Sequence, residues 1–274
     1  MAPLCSRAGF LGLGLAALLL PVVGACSGQV AESGPTNADQ SNLAEDEVVS
    51  VQQRSARTFS EAVVIEPNDA YADRCTGVLI APQVVLTAAH CVVFVASRSW
   101  RVTAPNATGG PETHDARDGE PMDAAFRNVS QSDFAQRDLR DVGVLYLAVP
   151  FENVKLPVVA SGSFAVDKAS PPIFVSSVGR ANADADGLAV SLPTMLDAPA
   201  SSRASFEYET ARVTAPGESG GPLFVEGTHR VVAVHAHADR AAKTDAWVRL
   251  DGDVYTWLTQ KVTSHGGWVA TASR

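Results

Sequence analysis

The chain has 274 residues, 46% apolar and 19% charged, with 21 glycines, 16 prolines, four cysteines and a formal net charge of −9. That length and apolar content allow one large or two small domains with a real core, and exclude a wholly disordered chain. The acidic balance argues against nucleic acid as the main partner, and four cysteines are too few for a small disulfide-stapled scaffold.

The N-terminus reads as an export signal over residues 1–25. Arg7 is the only charge before Glu32. The apolar run from Ala8 to Gly24 is broken by Pro21 and is short for a membrane span, which needs about 20 residues. A positive start, an apolar stretch and small residues at its end have the order of a signal peptide. The end, Val23-Gly24-Ala25-Cys26, resembles a bacterial lipobox, although Val23 and Gly24 depart from its commonest form. The resemblance implies lipid on Cys26 and a membrane anchor facing the periplasm or the exterior. Ordinary secretory cleavage before Cys26 and an uncleaved anchor are the alternatives. Residues 26–50 hold no aromatic residue and cannot offset their chain entropy by burial, so they read as a flexible tether or prosegment. Glu32, Asp39, Glu45, Asp46 and Glu47 lie in it without a basic partner. The rest of the chain is therefore only mildly acidic.

Residues 51–265 read as the folded domain and 266–274 as a tail. Short apolar runs, Ala62–Ile65, Gly77–Ile80, Val84–Ala89, Val142–Val149, Ile173–Val178 and Val231–Val234, alternate with turn-forming clusters. Many short strands with turns between them predict an all-β barrel or sandwich. Ala107–Arg140 is polar and reads as long surface loops. In Gly252–Val262 the apolar residues Val254, Trp257, Leu258 and Val262 recur at helical spacing, which predicts a terminal helix.

Three segments carry chemistry. The first runs from Cys75 through Leu86-Thr-Ala-Ala-His90-Cys91, the second is Asp141-Val-Gly-Val-Leu, and the third is Gly217-Glu-Ser219-Gly-Gly-Pro222. A serine hydroxyl is a weak nucleophile until a base takes its proton, and histidine does so near neutral pH. A buried carboxylate fixes the imidazole tautomer. Glycines around Ser219 let the backbone turn sharply and aim amides at one point, where they stabilise an oxyanion. Each segment alone is commonplace; the order His, Asp, Ser is specific.

On these motifs the chain resembles the trypsin/chymotrypsin-like serine peptidases over roughly residues 59–263. Val175-Ser-Ser-Val-Gly-Arg180, Ala246-Trp-Val-Arg-Leu250 and Asp253-Val-Tyr-Thr-Trp257 are weaker echoes of the same family. The resemblance implies two antiparallel β barrels with the active site between them and a short C-terminal helix. It implies His90 as general base, Asp141 as orienting carboxylate and Ser219 as nucleophile, with the Gly217 and Ser219 amides as oxyanion donors. It also implies a Cys75–Cys91 disulfide beside the histidine. Asp133 and Asp138 head no matching run and read as solvated loop residues. The activity implied is an extracytoplasmic serine endopeptidase acting through an acyl-enzyme on a protein or peptide substrate, as a monomer without metal or other cofactor. A catalytically silent peptidase-like binding domain and an esterase-type hydrolase on the same triad are the alternatives.

Several positions depart from the family pattern. Glu218 stands where an Asp usually precedes the nucleophile and pairs with an N-terminus freed by activation cleavage. Val48-Val49-Ser50-Val51, after Glu47, lies at a suitable distance from His90 for such a cleavage but lacks the usual glycines. An enzyme active without processing is the alternative. Ala236-His237-Ala238 replaces Ser-Trp-Gly, which removes a hydroxyl normally offered to the catalytic Asp. The specificity pocket implied by the resemblance comprises Val213, Thr214, His235, Ala238 and Asp245. Thr214 with His235 resembles the glutamyl endopeptidases and points to an acidic substrate residue. Asp245 points to a basic one, and the uncharged Val213 admits a small or apolar one.

Overall fold

A computed structural model of the chain describes residues 53–270 apart from 70–71, 131–137, 165, 167–169, 183–185, 200–204, 266 and 268. The export signal, Cys26, the 26–50 segment and Asp133 lie outside the described residues. In chain order the elements are β1 (Gln53–Ser55), β2 (Ala62–Pro67), β3 (Cys75–Ala81), β4 (Val84–Thr87), α1 (Ala89–Val93), β5 (Trp100–Ala104), β6 (Glu112–Pro121), a 3₁₀ turn (Ala124–Asn128), β7 (Gly143–Leu147), β8 (Val158–Val159), β9 (Phe174–Arg180), β10 (Leu188–Ser191), β11 (Thr194–Met195), β12 (Glu207–Ala211), β13 (Pro222–Val225), β14 (Arg230–Asp239), β15 (Thr244–Arg249) and α2 (Gly252–Ser264).

Six strands close a barrel in the order β2-β3-β4-β7-β6-β5, each pair antiparallel. The other nine form a sheet along the path β1-β10-β9-β13-β14-β15-β12, with β11 beside β9. β8 joins β14 in parallel, the one departure from the expected antiparallel pairing among the described strands. The sequence explains why β3 and β4 are apolar without alternation: both faces are buried. Val63, Ile65, Leu79, Val85, Trp100, Val102, Leu145 and Leu147 fill the barrel. Val78, Ile80, Val84, Leu86 and Val144 point the other way and join Val178, Phe224, Val234 and Val248 of the second sheet. The two halves thus share one core along the crevice. Each fully buried Leu or Ile there contributes about 2–3 kcal/mol relative to exposure.

Helix α2 extends two residues beyond the expected segment and sends Val254, Leu258 and Val262 into that shared core, while Trp257 stays half-buried. Lys261 Nζ donates to Glu120 Oε2 at 2.8 Å, tying the helix to β6. Packing continues past the expected domain end, since Val269 is buried and Ala270 O accepts from Val159 N. The loops expected over Ala107–Arg140 require a correction. Ten of these residues form β6, which completes the barrel between β5 and β7. Its buried residues are the small Ala116, Gly119 and Pro121, and a register shift between Ala116 and Asp118 breaks the alternation. The strand therefore carries no apolar signature. No helix among the described residues is long and apolar enough to cross a membrane.

Candidate active site

His90 sits in the first turn of α1, directly after β4. The turn can lie flat on the barrel because its neighbours are small. A Cβ on Gly143 would come within 3.2 Å of Ala89 Cα and 3.1 Å of Val92, so Gly143 is what lets α1 rest on β7. Two residues earlier, buried Asp141 reaches the same turn. Its Oδ1 accepts the His90 backbone N–H at 2.9 Å, and its Oδ2 lies 2.7 Å from His90 Nδ1. One carboxylate thus fixes both the backbone and the ring. A proton on Nδ1 satisfies that contact and leaves Nε2 as the acceptor. Asp138, by contrast, is exposed.

Ser219 lies on a turn between Gly217 (φ 92°) and Gly220 (φ 76°), conformations that only glycine adopts without strain. The turn is bonded to both halves. Gly220 N donates to His235 O and His235 N to Gly221 O, each at 2.9 Å, on the second sheet. From the barrel, Thr76 N donates to Ser219 O at 2.8 Å and Thr76 Oγ1 to Gly217 O at 2.9 Å. Thr76 follows Cys75, which is disulfide-bonded to Cys91, the residue after His90. Two hydrogen bonds from Thr76 and the neighbouring disulfide therefore connect the serine turn to the histidine turn. Cys75, His90 and Cys91 place potential ligand atoms within 4.8 Å of one another, but the disulfide leaves no thiolate to hold a metal. Gly217 and Ser219 both line a cavity of about 440 Å³, and among the described residues their amides donate to no protein acceptor.

Glu218 points inward, away from solvent. Its Oε1 accepts from Ala215 N at 3.1 Å and its Oε2 from Ser177 Oγ at 3.5 Å. A Cβ on Gly179 would lie 2.6 Å from Glu218 Cγ, so this glycine makes the room. Burial, with no cation paired to it among the described residues, pushes the carboxyl up to about 8, helped by the charge of Asp245 and opposed by the Ala215 and Ser177 hydrogen bonds.

On the other side of Ser219 is a cavity of about 260 Å³ lined by Thr214, His235, Ala236 and Ala238 among others. Of the five expected pocket residues, Thr214, His235 and Ala238 line it, whereas Val213 and Asp245 do not. Asp245 lies beneath, with no exposed surface. Its Oδ2 accepts from Val213 N at 2.7 Å and Thr214 N at 3.0 Å, its Oδ1 from Thr214 Oγ1 at 2.7 Å. His235 Nε2 stands 3.2 Å from Thr214 Oγ1 and 3.6 Å from Asp245 Oδ1. Burial raises the Asp245 pKa, but His235 and these donors together hold the carboxyl below its usual range. The cavity is also lined by His237 of the Ala236-His237-Ala238 segment and by Arg212 and Arg240, which the motifs did not single out. Arg212 precedes Ser219 by seven residues, a spacing with no signature of its own.

A family model described as Trypsin matches residues 48–257. A search of curated proteins finds no match. Among solved structures, the Vibrio cholerae VesB protease aligns with a TM-score of 0.58 at 19% identity over 77% of this chain, which spans 66% of that structure's length. A mutant of human heparin binding protein aligns at 0.56 and 16% identity, covering 78% of this chain and 96% of that one. The structure titled HL collagenase aligns at 0.61 and 16% identity, covering 78% and 98%. At these identities the structural likeness speaks to the fold alone.

Proposed function

The chain belongs to the trypsin family of peptidases, and from that premise we propose that it is a serine endopeptidase with Ser219 as nucleophile, His90 as general base and Asp141 as its orienting partner. The observation that carries this reading is the double grip of Asp141 on His90, with the Ser219 turn bonded back to the same barrel. In the proposed mechanism Ser219 Oγ attacks the scissile carbonyl as Nε2 of His90 takes its proton. Asp141 holds the resulting imidazolium in place. The Gly217 and Ser219 amides receive the oxyanion. Collapse breaks the C–N bond, His90 returns the proton to the leaving amine, and an acyl-enzyme remains. Water, deprotonated by the same imidazole, releases the acid and restores Ser219. A fluorophosphonate probe is expected to label the wild-type protein and not Ser219→Ala. Absence of labelling in correctly processed protein would favour a silent binding domain. Side-by-side turnover of peptides and esters separates a peptidase from an esterase.

The same reading extends to the ends of the chain. Residues 1–25 direct export, Cys26 carries lipid, residues 26–50 are a tether or prosegment, 51–265 form the peptidase domain and 266–274 a tail. Cleavage after Glu47 matures the enzyme. Two facts support that step: the family match begins at Val48, and buried Glu218 has only neutral donors among the described residues. A freed Val48 amine is the cation it lacks. Mass spectrometry of the native N-terminus tests lipidation and processing together; an active form that still begins at Cys26 refutes the cleavage.

A further inference from the structure

All three residues of β1 are exposed, so no side chain of this strand anchors it in a core. It is nevertheless the first described element after the proposed cleavage point, and its register is specific. Gln53 lies opposite Ser191, Arg54 opposite Val190 and Ser55 opposite Ala189. Besides this pairing and a bond from Gln53 Nε2 to Ala181 O at 3.3 Å, one side chain holds the strand. Arg54 Nη1 donates to Glu226 Oε1 at 3.0 Å and Nη2 to Glu226 Oε2 at 3.2 Å, a bidentate pair. Nη2 also donates to Ser176 Oγ and to Ser191 O, each at 3.1 Å. Ser176 Oγ in turn donates to Glu226 Oε2. The Arg54 hydrogen bonds, more than that of Ser176, hold the Glu226 carboxyl below its usual range. One guanidinium thus joins β1 to β9, to the end of β10 and to the turn after β13.

The same residues lead to the nucleophile. Ser191 Oγ accepts from Ser177 N at 2.9 Å, and Ser177 Oγ donates to Glu218 Oε2 at 3.5 Å. Glu218, the residue before Ser219, is therefore two hydrogen bonds from the residue opposite Gln53. The other charge acting on it is that of Asp245, which also favours a cation there. Val48 lies five residues before Gln53, and five residues span at most about 18 Å. An amine on so short a tether has a high effective concentration at its site, which falls as the tether lengthens. Beyond β1 the next anchored residue is buried Ala56, whose carbonyl accepts from Phe59 N and Asn106 Nδ2. Loosening β1 moves the anchor to Ala56, lengthens the tether to eight residues and removes its direction.

We propose that Arg54, clamped by Glu226, is a positioning residue that aims the freed Val48 amine at Glu218 and so sets the active form of the Ser219 turn. The inference rests on the maturation reading and goes beyond it by naming the group that directs the new N-terminus. The clamp is bidentate but partly exposed, so its loss is expected to weaken the amine–carboxylate pairing about three- to tenfold rather than abolish it. An amine paired with a carboxylate keeps its proton to higher pH than a free one, and each tenfold loss of pairing lowers its pKa by about one unit.

The test starts from the full chain, matured and verified by mass spectrometry to begin at Val48. The rate of fluorophosphonate labelling is followed from pH 5 to 10. In Arg54→Ala and in Glu226→Gln the alkaline limb is expected about 0.5–1 pH unit below that of wild type, with the acid limb of His90 in place. The double variant is expected to move it no further than either change alone. Arg54→Lys, which keeps the charge without the fork, is expected between Arg54→Ala and wild type. A purely structural role lowers the melting temperature and leaves both limbs where they are. Competitive acetylation of the Val48 amine, in Ser219→Ala chains prepared to begin at Val48, reads the same shift without activity. An alkaline limb and an amine pKa that Arg54→Ala leaves unchanged overturn the clamp and leave the maturation reading standing. Active wild type that still begins at Cys26 overturns the maturation reading and the clamp with it. If the probe does not label Ser219, the peptidase reading has failed, and the acetylation arm decides the clamp alone.

Discussion

Replacing Glu218 by Gln in the uncleaved chain is expected to remove a large pH dependence of stability. The carboxyl is buried and its pKa is pushed up from 4.5 to about 8, chiefly by that burial. Below pH 4.5 the group is protonated in both folded and unfolded chains and adds no slope. Between pH 4.5 and about 8 the unfolded chain has released this proton and the folded chain has not, so folding takes up a proton and stability falls as pH rises. Above about 8 the loss is complete and levels off. The rise from 4.5 to about 8 corresponds to about 5 kcal/mol, a large share of the roughly 5–15 kcal/mol that holds a domain folded. Glutamine keeps the shape and an oxygen that accepts from Ala215 N, its amide nitrogen now donating to Ser177 Oγ, without the charge, so its stability carries no such slope.

The measurement is urea unfolding at pH 5, 6, 7, 8 and 9 in a Ser219→Ala/Glu47→Gln background, which keeps the chain uncleaved. The Glu218→Gln variant and its Glu218 parent are expected to differ least near pH 5 and to separate by about 5 kcal/mol toward pH 8. Parallel curves across that range would falsify the argument. A chain prepared with its N-terminus at Val48 provides the complementary arm. If the freed amine pairs with Glu218, the ionised carboxylate gains a partner and the slope of the parent flattens. A slope unchanged by cleavage refutes that pairing while leaving the burial argument intact.

Asp141→Asn is expected to lower kcat by about 10⁴ with little change in fold, because an amide beside Nδ1 favours the wrong imidazole tautomer; the rate of fluorophosphonate labelling is the direct readout. Replacing Cys75 and Cys91 together by Ser opens a 16-residue separation and is expected to cost about 3 kcal/mol in denaturant unfolding; no difference between oxidised wild type and the double variant refutes it. Gly220→Ala is expected to cost at least about 3 kcal/mol or prevent folding, since its Cβ would lie 2.1 Å from Thr87 Oγ1 at a φ of 76°; a melting temperature within about 2 °C of wild type sinks that reasoning. His229→Ala removes the partner 2.5 Å from Glu61, whose carboxyl is fully buried and held above its usual range mainly by that burial. A loss of about 3 kcal/mol in denaturant unfolding is expected, largely recovered when Glu61→Leu accompanies it.

Much of the site was legible because its residues are bound to rigid local demands. The glycines of the Ser219 turn, Gly143 under α1 and the apolar runs of β3 and β4 all follow from backbone crowding or burial on two faces. The strand β6 was not legible, because a strand whose buried residues are Ala116, Gly119 and Pro121 has the composition of a loop. Only its neighbours β5 and β7 supply the pairing that makes it a strand. The pocket was half legible. Thr214, His235 and Asp245 stand out by residue type, but whether Asp245 faces the cavity depends on which donors reach it, and those come from Val213 and Thr214 backbone amides. Arg212 and Arg240 were invisible for a different reason. They lie on either side of the serine in sequence, and only the β12-to-β15 arrangement brings both to one cavity.

The bonds around Ser219 tie its position to the relation between the two halves of the domain. Its turn takes two backbone hydrogen bonds with His235 from the second sheet and two hydrogen bonds with Thr76 from the barrel. Thr76 is itself fixed, since its carbonyl accepts from Thr87 Oγ1 at 2.8 Å and its neighbour Cys75 is bonded to Cys91. A shift of the sheet against the barrel must therefore break a bond to the turn or carry the serine away from His90. In the proposed mechanism, because reacting groups misplaced by about 1 Å can lose on the order of 100-fold in rate, the shared core of Val78, Ile80, Leu86, Val178 and Val234 would act on catalysis as well as on stability. Under that proposal the crevice is packed with interlocking apolar side chains, while the cavities that would receive substrate open on either side of one serine.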